Sequence, residues 1–208
     1  MASEYGIASS ETTEGPRMTA ELMTRSIVVA ATAQDPDGVA PVTTIRAMTL
    51  VAPGADGHYL PVRLSTATQA ATVYVSDTIT VADPERFAVG DTIGVVAAAT
   101  PTADSTTVGE VAAVDLTTGQ LSLTAAAAAS VAVGDIIISE DTEQLGGNAV
   151  LLRRDVSTQN VTTGLRMAVG AVGVSCGQAR LADVVGGCAD SDAVDARIRA
   201  ELRLFDLI

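Results

Sequence analysis

Two near-copies of one short pattern constrain the fold of this chain more than any other feature. Residues 87–93 read Phe-Ala-Val-Gly-Asp-Thr-Ile, and residues 131–137 read Val-Ala-Val-Gly-Asp-Ile-Ile. In each copy a Gly-Asp pair, which favours a turn, comes directly before a β-branched run, which favours a strand. The two copies are consistent with an internal duplication, but they are too few to indicate a solenoid.

The residues around these copies complete a small all-β module. Residues 108–114 and 121–124 alternate apolar and polar side chains, and the turn residues between them predict a hairpin. Residues 83–86, Asp-Pro-Glu-Arg, favour a turn or a short helical segment before the first copy. We therefore predict that residues 71–141 form a compact β-barrel or sandwich, with the two Gly-Asp turns at equivalent corners.

Short apolar runs on both sides of this module predict a second domain. The runs most typical of strands are residues 27–30, 42–51, 58–62, 150–156 and 167–176. The chain has no Trp, three Tyr and two Phe. Its core must therefore consist of Val, Ile, Leu and Ala, and β-branched side chains favour strands. We predict a mainly β fold with one or two short helices, in which residues 26–70 and 142–208 form one discontinuous domain.

The last part of the chain contains the clearest helix signal. Asp190 or Ser191 is a suitable N-cap for a helix that begins near Asp192. The apolar residues that recur every four positions on one face of this helix are Val194, Ile198 and Leu202. Such a short amphipathic helix must dock on a sheet to persist.

Charged pairs are expected on the other sides of this helix. Asp195 with Arg199, and Arg197 with Glu201, are spaced i,i+4, and on exposed sides each pair contributes about 0.2–0.5 kcal/mol. Residues 204–208 have two apolar positions on each side of an Asp, which favours a final strand that pairs with the sheet.

The first 25 residues differ in composition from the rest. Ser, Thr, Glu and Gly dominate residues 1–25, and the apolar side chains there are scattered. Such a segment buries too little apolar surface to offset its own ordering entropy, so we predict a flexible N-terminal arm. The arm is either a frayed terminus or a segment that becomes ordered on a partner, for example by adding a strand to its sheet.

Charge and hydropathy exclude several classes of partner. The net charge of -13 argues against binding to nucleic acid, whose phosphates require clustered basic residues. Residues 1–25 carry Glu where a signal peptide carries basic residues. The apolar runs fall short of the roughly 18 residues that are needed to cross a bilayer. We therefore expect a soluble protein with no membrane partner.

The inventory of reactive side chains predicts no enzyme and no cofactor. His58 is the only His, it follows a turn, and the sequence indicates no partner that would make it a general base. The chain has no Lys, which excludes a Schiff base, and it has no phosphate-binding loop motif. Self-splicing and autoprocessing domains share the Val-Gly-Asp pattern, but the His-containing blocks that they require are missing.

The sequence does not predict a metal site either. Cys176 and Cys188 are the only cysteines, and a zinc site would require two more good ligands. Residues 190–192, Asp-Ser-Asp, match too little of a calcium loop. The two cysteines are either free thiols or a disulfide, and nothing marks an oxidising compartment, which favours free thiols.

Read without the module, the order of motifs resembles that of one family. Thr-Thr-Glu-Gly at 12–15 leads towards the first strand, and Gly-His-Tyr-Leu-Pro at 57–61 follows a turn. Val-Leu-Leu-Arg-Arg-Asp-Val at 150–156 precedes a Gly/Val-rich strand at 168–174, a helix and a short apolar strand. In this order the chain resembles the lambda-type head decoration proteins, or capsid cement proteins, of tailed phages.

The resemblance covers roughly residues 10–66 and 145–208. It implies a β-rich α+β decoration domain that binds the exterior of the mature head, usually as a homotrimer, and stabilises it by bridging subunits of the major capsid protein. It thus implies a virion structural protein, made in the host cytoplasm, with the module projecting outward. Contacts with the capsid are expected at Ile7, Met18 and Leu22.

The sequence is also compatible with two other roles. One is a tail-tube or spike component of the virion, where β-modules are also appended. The other is a cell-surface or carbohydrate-binding module, which a secretion signal and exposed aromatic residues would favour; the sequence has no visible signal and few aromatics.

Overall fold

The computed structural model describes residues 18–37, 43–142, 148–160, 162–179, 181, 184, 191–202 and 205–207. It is 43% strand and 9% helix, with one α-helix in the described residues. Ordinary globular proteins are about 20–25% strand. The predicted mainly β fold class with a short helix is therefore confirmed.

The chain builds part of one sheet, passes through a second sheet and returns to the first. The first half of the described chain contains β1 Met18–Val29, β2 Thr44–Ile45, β3 Leu50–Pro53, β4 Tyr59–Pro61, β5 Leu64–Thr66, β6 Thr78–Thr80, a 3₁₀ turn Pro84–Arg86 and β7 Thr92–Val96. The second half contains β8 Thr106–Asp115, β9 Gln120–Leu123, β10 Ile136–Ser139, β11 Val150–Leu152, β12 Val156–Ser157, β13 Val169–Ala179, α1 Asp192–Glu201 and β14 Phe205–Leu207.

The first sheet is a small barrel, which we call the base. Its strands β1, β4, β3, β11 and β13 are hydrogen-bonded in that order, and β13 pairs with β1 to close the ring. β14 adds to β13 in parallel, while β2 and β12 form a separate two-stranded sheet. β3 pairs with β11 through Val51 and Val150. Strands from both sides of the intervening module therefore share this sheet.

The second sheet, which we call the module, spans Leu64 to Ser139 in the order β5-β10-β7-β8-β9-β6. It is curled, and its end strands meet: the Thr68 N–H donates to Thr80 O at 2.8 Å, and the Ala82 N–H to Thr66 O at 3.0 Å. β8 and β9 form the hairpin that the sequence predicts. The sheet begins at Leu64, before the boundary at residue 71 expected from composition.

The two Val-Gly-Asp turns have the same geometry. Gly90 and Gly134 have φ angles of +92° and +90°, a region in which glycine is favoured. The Asp91 carboxylate accepts from the Ala88 N–H at 2.6 Å, and Asp135 accepts from the equivalent Ala132 N–H at 2.8 Å. Each Asp therefore closes its own turn, as Asx residues commonly do.

The strand register shows that the two halves of the module are equivalent. In one half Ile136 pairs with Thr66, and in the other Thr92 pairs with Glu110. Adding 44 to residue 92 gives 136, and adding 44 to residue 66 gives 110, so one offset relates both partners of the two pairs. The same offset relates the two turns. β5, β6 and β7 thus correspond to β8, β9 and β10 around an approximate two-fold axis, which is the arrangement that a tandem duplication predicts.

The base and the module share an apolar core. In β3 and β11, Leu50 and Leu151 face this shared core, whereas Val51 and Val150 face the interior of the base. In β10, Ile136 and Ile138 face the shared core and Ile137 faces the interior of the module. These strands are buried on both faces, which explains why their sequences are continuous apolar runs rather than alternating ones.

Helix α1 covers one end of the shared core. Ser191 caps it by accepting from the Val194 N–H at 3.3 Å, and Val194, Ile198 and Leu202 are buried, as the sequence predicts. β14 then pairs with β13, as predicted for the end of the chain.

The position expected for Arg197 and Glu201 is wrong. Their side chains are 0% and 2% exposed, with Arg197 Nε 3.1 Å from Glu201 Oε1. The guanidinium also donates to Pro101 O at 3.2 Å and Ala103 O at 2.5 Å. These carbonyls belong to the loop between β7 and β8, so Arg197 joins the helix to the module. Burial lowers the pKa of Arg197.

We expect Gly173→Ala to destabilise the base by about 1–3 kcal/mol, because overpacking a filled core forces side chains and backbone to move. A Cβ at Gly173 would overlap Val150 Cγ2 and lie 3.0 Å from Val150 Cβ. Gly170→Ala, in the same strand, is the control, since a Cβ there has no neighbour within 4 Å. Urea unfolding measures both variants, and equal stabilities would contradict this packing.

We expect Arg197→Ala to destabilise the protein by about 3–5 kcal/mol, because it removes the guanidinium from a buried ion pair and keeps the Glu201 carboxylate buried. The double variant Arg197→Met with Glu201→Leu removes both charges and should lose much less. The free energy of unfolding is measured for each. If the double variant were as unstable as the single one, the buried charge would not be the cause.

Candidate interaction surface

The structure describes the backbone at two of the three predicted capsid contacts. Ile7 is outside the described residues. Met18 and Leu22 were expected in a flexible arm, but they lie within β1, and Met18 pairs with Ala179 of β13. For residues 18–25 the prediction of a flexible arm is therefore wrong, because long-range pairing with β13 supplies the backbone hydrogen bonds that local sequence does not.

A group of charged side chains joins the base to the module, and we call it the junction cluster. It consists of Asp35, Asp37, Arg46, Arg63, Arg86, Asp91 and Asp141. In its first part, Arg63 lies between β4 and β5 and binds Asp91 through two hydrogen bonds of 2.6 and 2.9 Å, as well as Asp141. Burial raises the pKa of Asp91 despite the neighbouring Arg63.

The second part of the junction cluster is a chain of alternating charges. Arg46 binds Asp35 through Nε at 2.9 Å and Nη2 at 2.8 Å, and it reaches Asp37 at 2.7 Å. Arg86 of the module binds Asp37 at 3.2 Å and donates to Leu64 O at 2.7 Å. These residues hold one another and the backbone, so the cluster is explained by the attachment of the module.

A narrow crevice adjoins this cluster. It has a volume of about 220 Å³ and lies between Thr32 and Gln34 of the base and Val89 of the module. Its charged walls are Arg63, Asp91 and Asp141, which pair with one another.

His58 has a partner that the sequence did not indicate. Its Nδ1 lies 2.7 Å from Asp56 Oδ2, and its backbone N–H donates to Asp56 Oδ1 at 2.9 Å. Hydrogen bonds from His58 lower the pKa of the Asp56 carboxyl. The Gly54 N–H also donates to His58 O at 2.8 Å, so the pair belongs to a closed surface turn.

Part of the outer surface of the base carries exposed apolar side chains among the described residues. In a ring of five strands, β3 lies across from the β1–β13 pair, and the module packs on the outside of β3 and β11. On the outside of β1 and β13, Val28 is 42% exposed and Val172 is 40% exposed. Met23 of β1 and Met167, which precedes β13, are also exposed. We call this the β1/β13 face. A group of exposed apolar side chains on one side is typical of an interaction surface.

A groove opens in the β1/β13 face where β11 separates from β13. The Arg153 N–H still donates to Val172 O at 3.1 Å, and further along the Met167 N–H donates to Thr158 O at 2.8 Å. Between these two hydrogen bonds the segments diverge and leave a groove of about 320 Å³. Its lining residues are Arg153, Arg154, Asp155, Val156, Gly170, Ala171 and Val172.

The groove combines exposed charge with accessible backbone. Arg153 and Arg154 are both exposed, and a Cβ added to Gly170 would meet nothing within 4 Å. Since backbone groups two residues apart along a strand point to the same side, the Gly170 N–H and C=O point into the groove, as Val172 O does. Asp155 is turned to the backbone, because its carboxylate accepts from the Ala47 N–H at 2.7 Å.

Sequence reasoning missed this groove, although two signals point to it. Arg153 and Arg154 interrupt an apolar run in an acidic chain, and Gly170 leaves the outer face of β13 without a side chain at that position. What the sequence does not contain is the separation of β11 from β13, which depends on tertiary pairing.

The remaining features concern possible metal ligands, the cysteines and membrane spans. The described residues contain no group of three or more His, Cys, Asp or Glu placed to hold a metal ion. Cys176 is a half-buried free thiol, whereas Cys188 and Asp190 lie outside the described part of the chain. Within that part, α1 is too short and too polar to span a bilayer.

Comparison with known proteins finds no relative: no protein-family model, no curated protein and no solved structure matches this chain.

We expect Asp35→Asn to cost about 2 kcal/mol at pH 7, because Arg46 loses a charge-assisted, two-point hydrogen bond. Burial raises the pKa of Asp35, but hydrogen bonds from Arg46 outweigh it, and the pKa lies below the ordinary 3.8. The stability that this lowered pKa contributes is present above about pH 4 and lost as the pH falls through the folded pKa.

Urea unfolding between pH 2 and pH 7 measures this effect. The difference between the native protein and Asp35→Asn should shrink below about pH 4. Glu110→Gln, which removes an exposed carboxylate of the module, is the control and should change little. A difference that stayed constant down to pH 2 would mean that the Asp35 carboxylate does not carry the effect.

Proposed function

We propose that this protein is a virion structural protein, a capsid decoration protein that binds the exterior of the mature head and bridges subunits of the major capsid protein. The observation that carries the proposal is the two-sided base. The module covers the outside of β3 and β11, and the β1/β13 face across the ring is apolar and exposed. A decoration protein requires such a division, with one side for the shell and the other directed away from it.

The placement of the motifs also supports the proposal. The segments that resemble the decoration family lie in β4, β11 and β13, which are far apart in sequence. All three belong to the ring of the base, and the inserted module does not interrupt that ring. An insertion of this kind leaves the shell-binding platform intact and adds a second body on the outer side.

The charge of the protein is consistent with an external position. At a net charge of -13, a protein inside the head would be repelled by packaged DNA, whereas one outside has no contact with the genome. Binding is additive: each copy that binds the assembled lattice, and not the free subunits, shifts the equilibrium towards the assembled state.

The shell contacts that we propose lie along β1. They include the sequence-predicted Met18 and Leu22, together with Met23 and Val28 of the exposed face. The third sequence-predicted contact, Ile7, lies outside the described residues and stays part of the proposal. The proposed assembly on the shell is a homotrimer, as in the family that the sequence resembles. The alternative, a tail-tube or spike component, predicts a different symmetry.

We expect Val28→Glu to weaken binding to expanded shells about tenfold or more, because a charge at an apolar contact must be desolvated without a partner. The control is Val133→Glu, which places the same charge on a valine of the module that is 67% exposed. Co-sedimentation with expanded and unexpanded shells of the virus that encodes the chain measures binding, and analytical ultracentrifugation measures the oligomer.

Retention on expanded shells, loss with Val28→Glu and a trimeric mass would agree with the proposal. A hexameric ring without shell binding would instead favour the tail component. Equal binding by both valine variants would show that the β1/β13 face does not meet the shell.

A further inference from the structure

Two residues other than glycine adopt a left-handed backbone in the described part of the chain, and they differ in what holds them there. Met48 has a φ angle of +66°, and its side chain is buried in the shared core, which offsets the strain. Tyr74 has a φ angle of +60°, but its side chain is 78% exposed. A left-handed backbone is unfavourable for a bulky residue, and burial does not explain it at Tyr74.

The second half of the module shows that a turn at this place does not require a tyrosine. The offset of 44 relates residues 72–75 to residues 116–119. The left-handed residue of the second turn is Gly119, one place further along, with a φ angle of +73°. Glycine adopts this conformation at little cost. Since the first turn keeps a strained and exposed tyrosine instead, the reason lies in what the side chain contacts outside the fold.

Hydrogen bonds hold the loop around Tyr74 in one conformation. The Tyr74 N–H donates to Ala127 O at 2.8 Å, and the Ala127 N–H donates to Ser76 O at 2.8 Å. Within the loop the Thr72 N–H donates to Ser76 Oγ at 2.9 Å, and the Ser76 N–H donates to Thr72 O at 3.0 Å. A fixed backbone therefore presents the ring, which lowers the entropy that is lost when a ligand binds.

The surroundings of the ring are neutral and small. Residues 64–76 and 116–134 contain no charged side chain, although the whole chain has a net charge of -13. Residues 125–128, which face the loop, are all alanine, so their side chains leave the ring open to approach. Ser130 is exposed, and its hydroxyl accepts from the Val73 N–H at 3.4 Å. These segments offer an aromatic ring and hydroxyl groups to a ligand, and they offer no partner for a charge.

Tyr74 lies at the end of the module that points away from the base. β5 begins beside the base at Leu64, which pairs with Ile138. The same stretch of chain continues to Ala71, which pairs with Val131. Seven steps of extended chain span roughly 23 Å. The loop that follows therefore projects from the module on the side opposite the base.

From these observations we propose that Tyr74 is the centre of a binding site for neutral saccharides. The face of the ring contacts the apolar C–H groups of one sugar unit, and hydroxyl groups such as that of Ser130 bond to the sugar hydroxyls. One projecting ring matches one sugar unit in size, whereas a specific protein interface requires about 20–30 residues on each side. The site does not depend on the proposed decoration role, in which it would face away from the shell.

Affinity electrophoresis of the full chain in native gels tests this proposal. The gels contain a soluble α-glucan, a β-glucan or a galactomannan, which are neutral polymers, and a gel with the acidic polymer alginate is the reference for charge. At least one neutral polymer should retard the native chain. Tyr74→Ala should weaken this binding about tenfold, whereas Tyr74→Phe, which keeps the ring, should retain most of it. Leu116→Ala is the matched control, because it shortens an exposed apolar side chain in the equivalent turn.

Tyr74→Gly separates binding from stability. Glycine removes the backbone strain, so this variant should unfold at a urea concentration equal to or higher than that of the native chain. Its binding should nevertheless be lost, as in Tyr74→Ala. A lower urea midpoint would show that the tyrosine serves the fold, and it would overturn the proposal.

The gels themselves supply the other contradicting outcomes. Retardation by none of the neutral polymers, or by alginate alone, would overturn the site. Retardation that Tyr74→Ala leaves unchanged, or that Leu116→Ala weakens equally, would do the same. If Tyr74→Ala altered the sedimentation coefficient of the protein and not its retardation, the ring would contact protein and the saccharide site would be wrong.

Discussion

The structure depends on one apolar layer that the base and the module share. Leu50 and Leu151 contribute to it from the base, and Ile136 and Ile138 contribute from β10 of the module. Since each of these strands is also buried on its other face, neither body can move away without exposing strands that have no polar side. The base, the module and helix α1 therefore form one unit, although the chain passes from one body to the other and back.

Charged residues make this attachment specific. Apolar contact alone is non-directional. The arginines of the junction cluster fix the orientation, because Arg63 binds Asp91 of the first turn and Arg86 binds Asp37 of the base. The second copy of the turn is used differently, since Asp135 accepts instead from the Ala98 N–H at 3.0 Å. The two halves of the duplicated module therefore differ in what their turn aspartates bind.

Local pattern predicts the local parts of this fold well. The Val-Gly-Asp turns, the β8–β9 hairpin and helix α1 follow from residues that are close in sequence, and all are present. Long-range features are not predictable in this way. Residues 18–25 have the composition of an arm, yet β13 orders them; Arg197 has the spacing of a surface pair, yet the carbonyls of Pro101 and Ala103 bury it. In each case the deciding partner is distant in sequence and leaves no local signal.

In the candidate surface, too, some features follow from local sequence and others depend on long-range pairing. Met18 and Leu22, which the sequence predicts as contacts, lie in β1. The exposed face and its groove, in contrast, exist only because β13 pairs with β1 while β11 diverges. The two sides of the base differ. One side carries the module, and the other presents apolar and basic groups. The proposed decoration role requires this difference between the two sides, and a symmetric barrel would not supply it.

Hydrogen exchange of the native protein, followed by mass spectrometry, tests the unity of the two bodies most directly. If the shared core joins them, the amides of β3, β11 and β10 should exchange with one common opening free energy, equal to that of global unfolding. Protection of β10 that persisted while β3 and β11 exchanged freely would show that base and module unfold independently, and it would contradict the account.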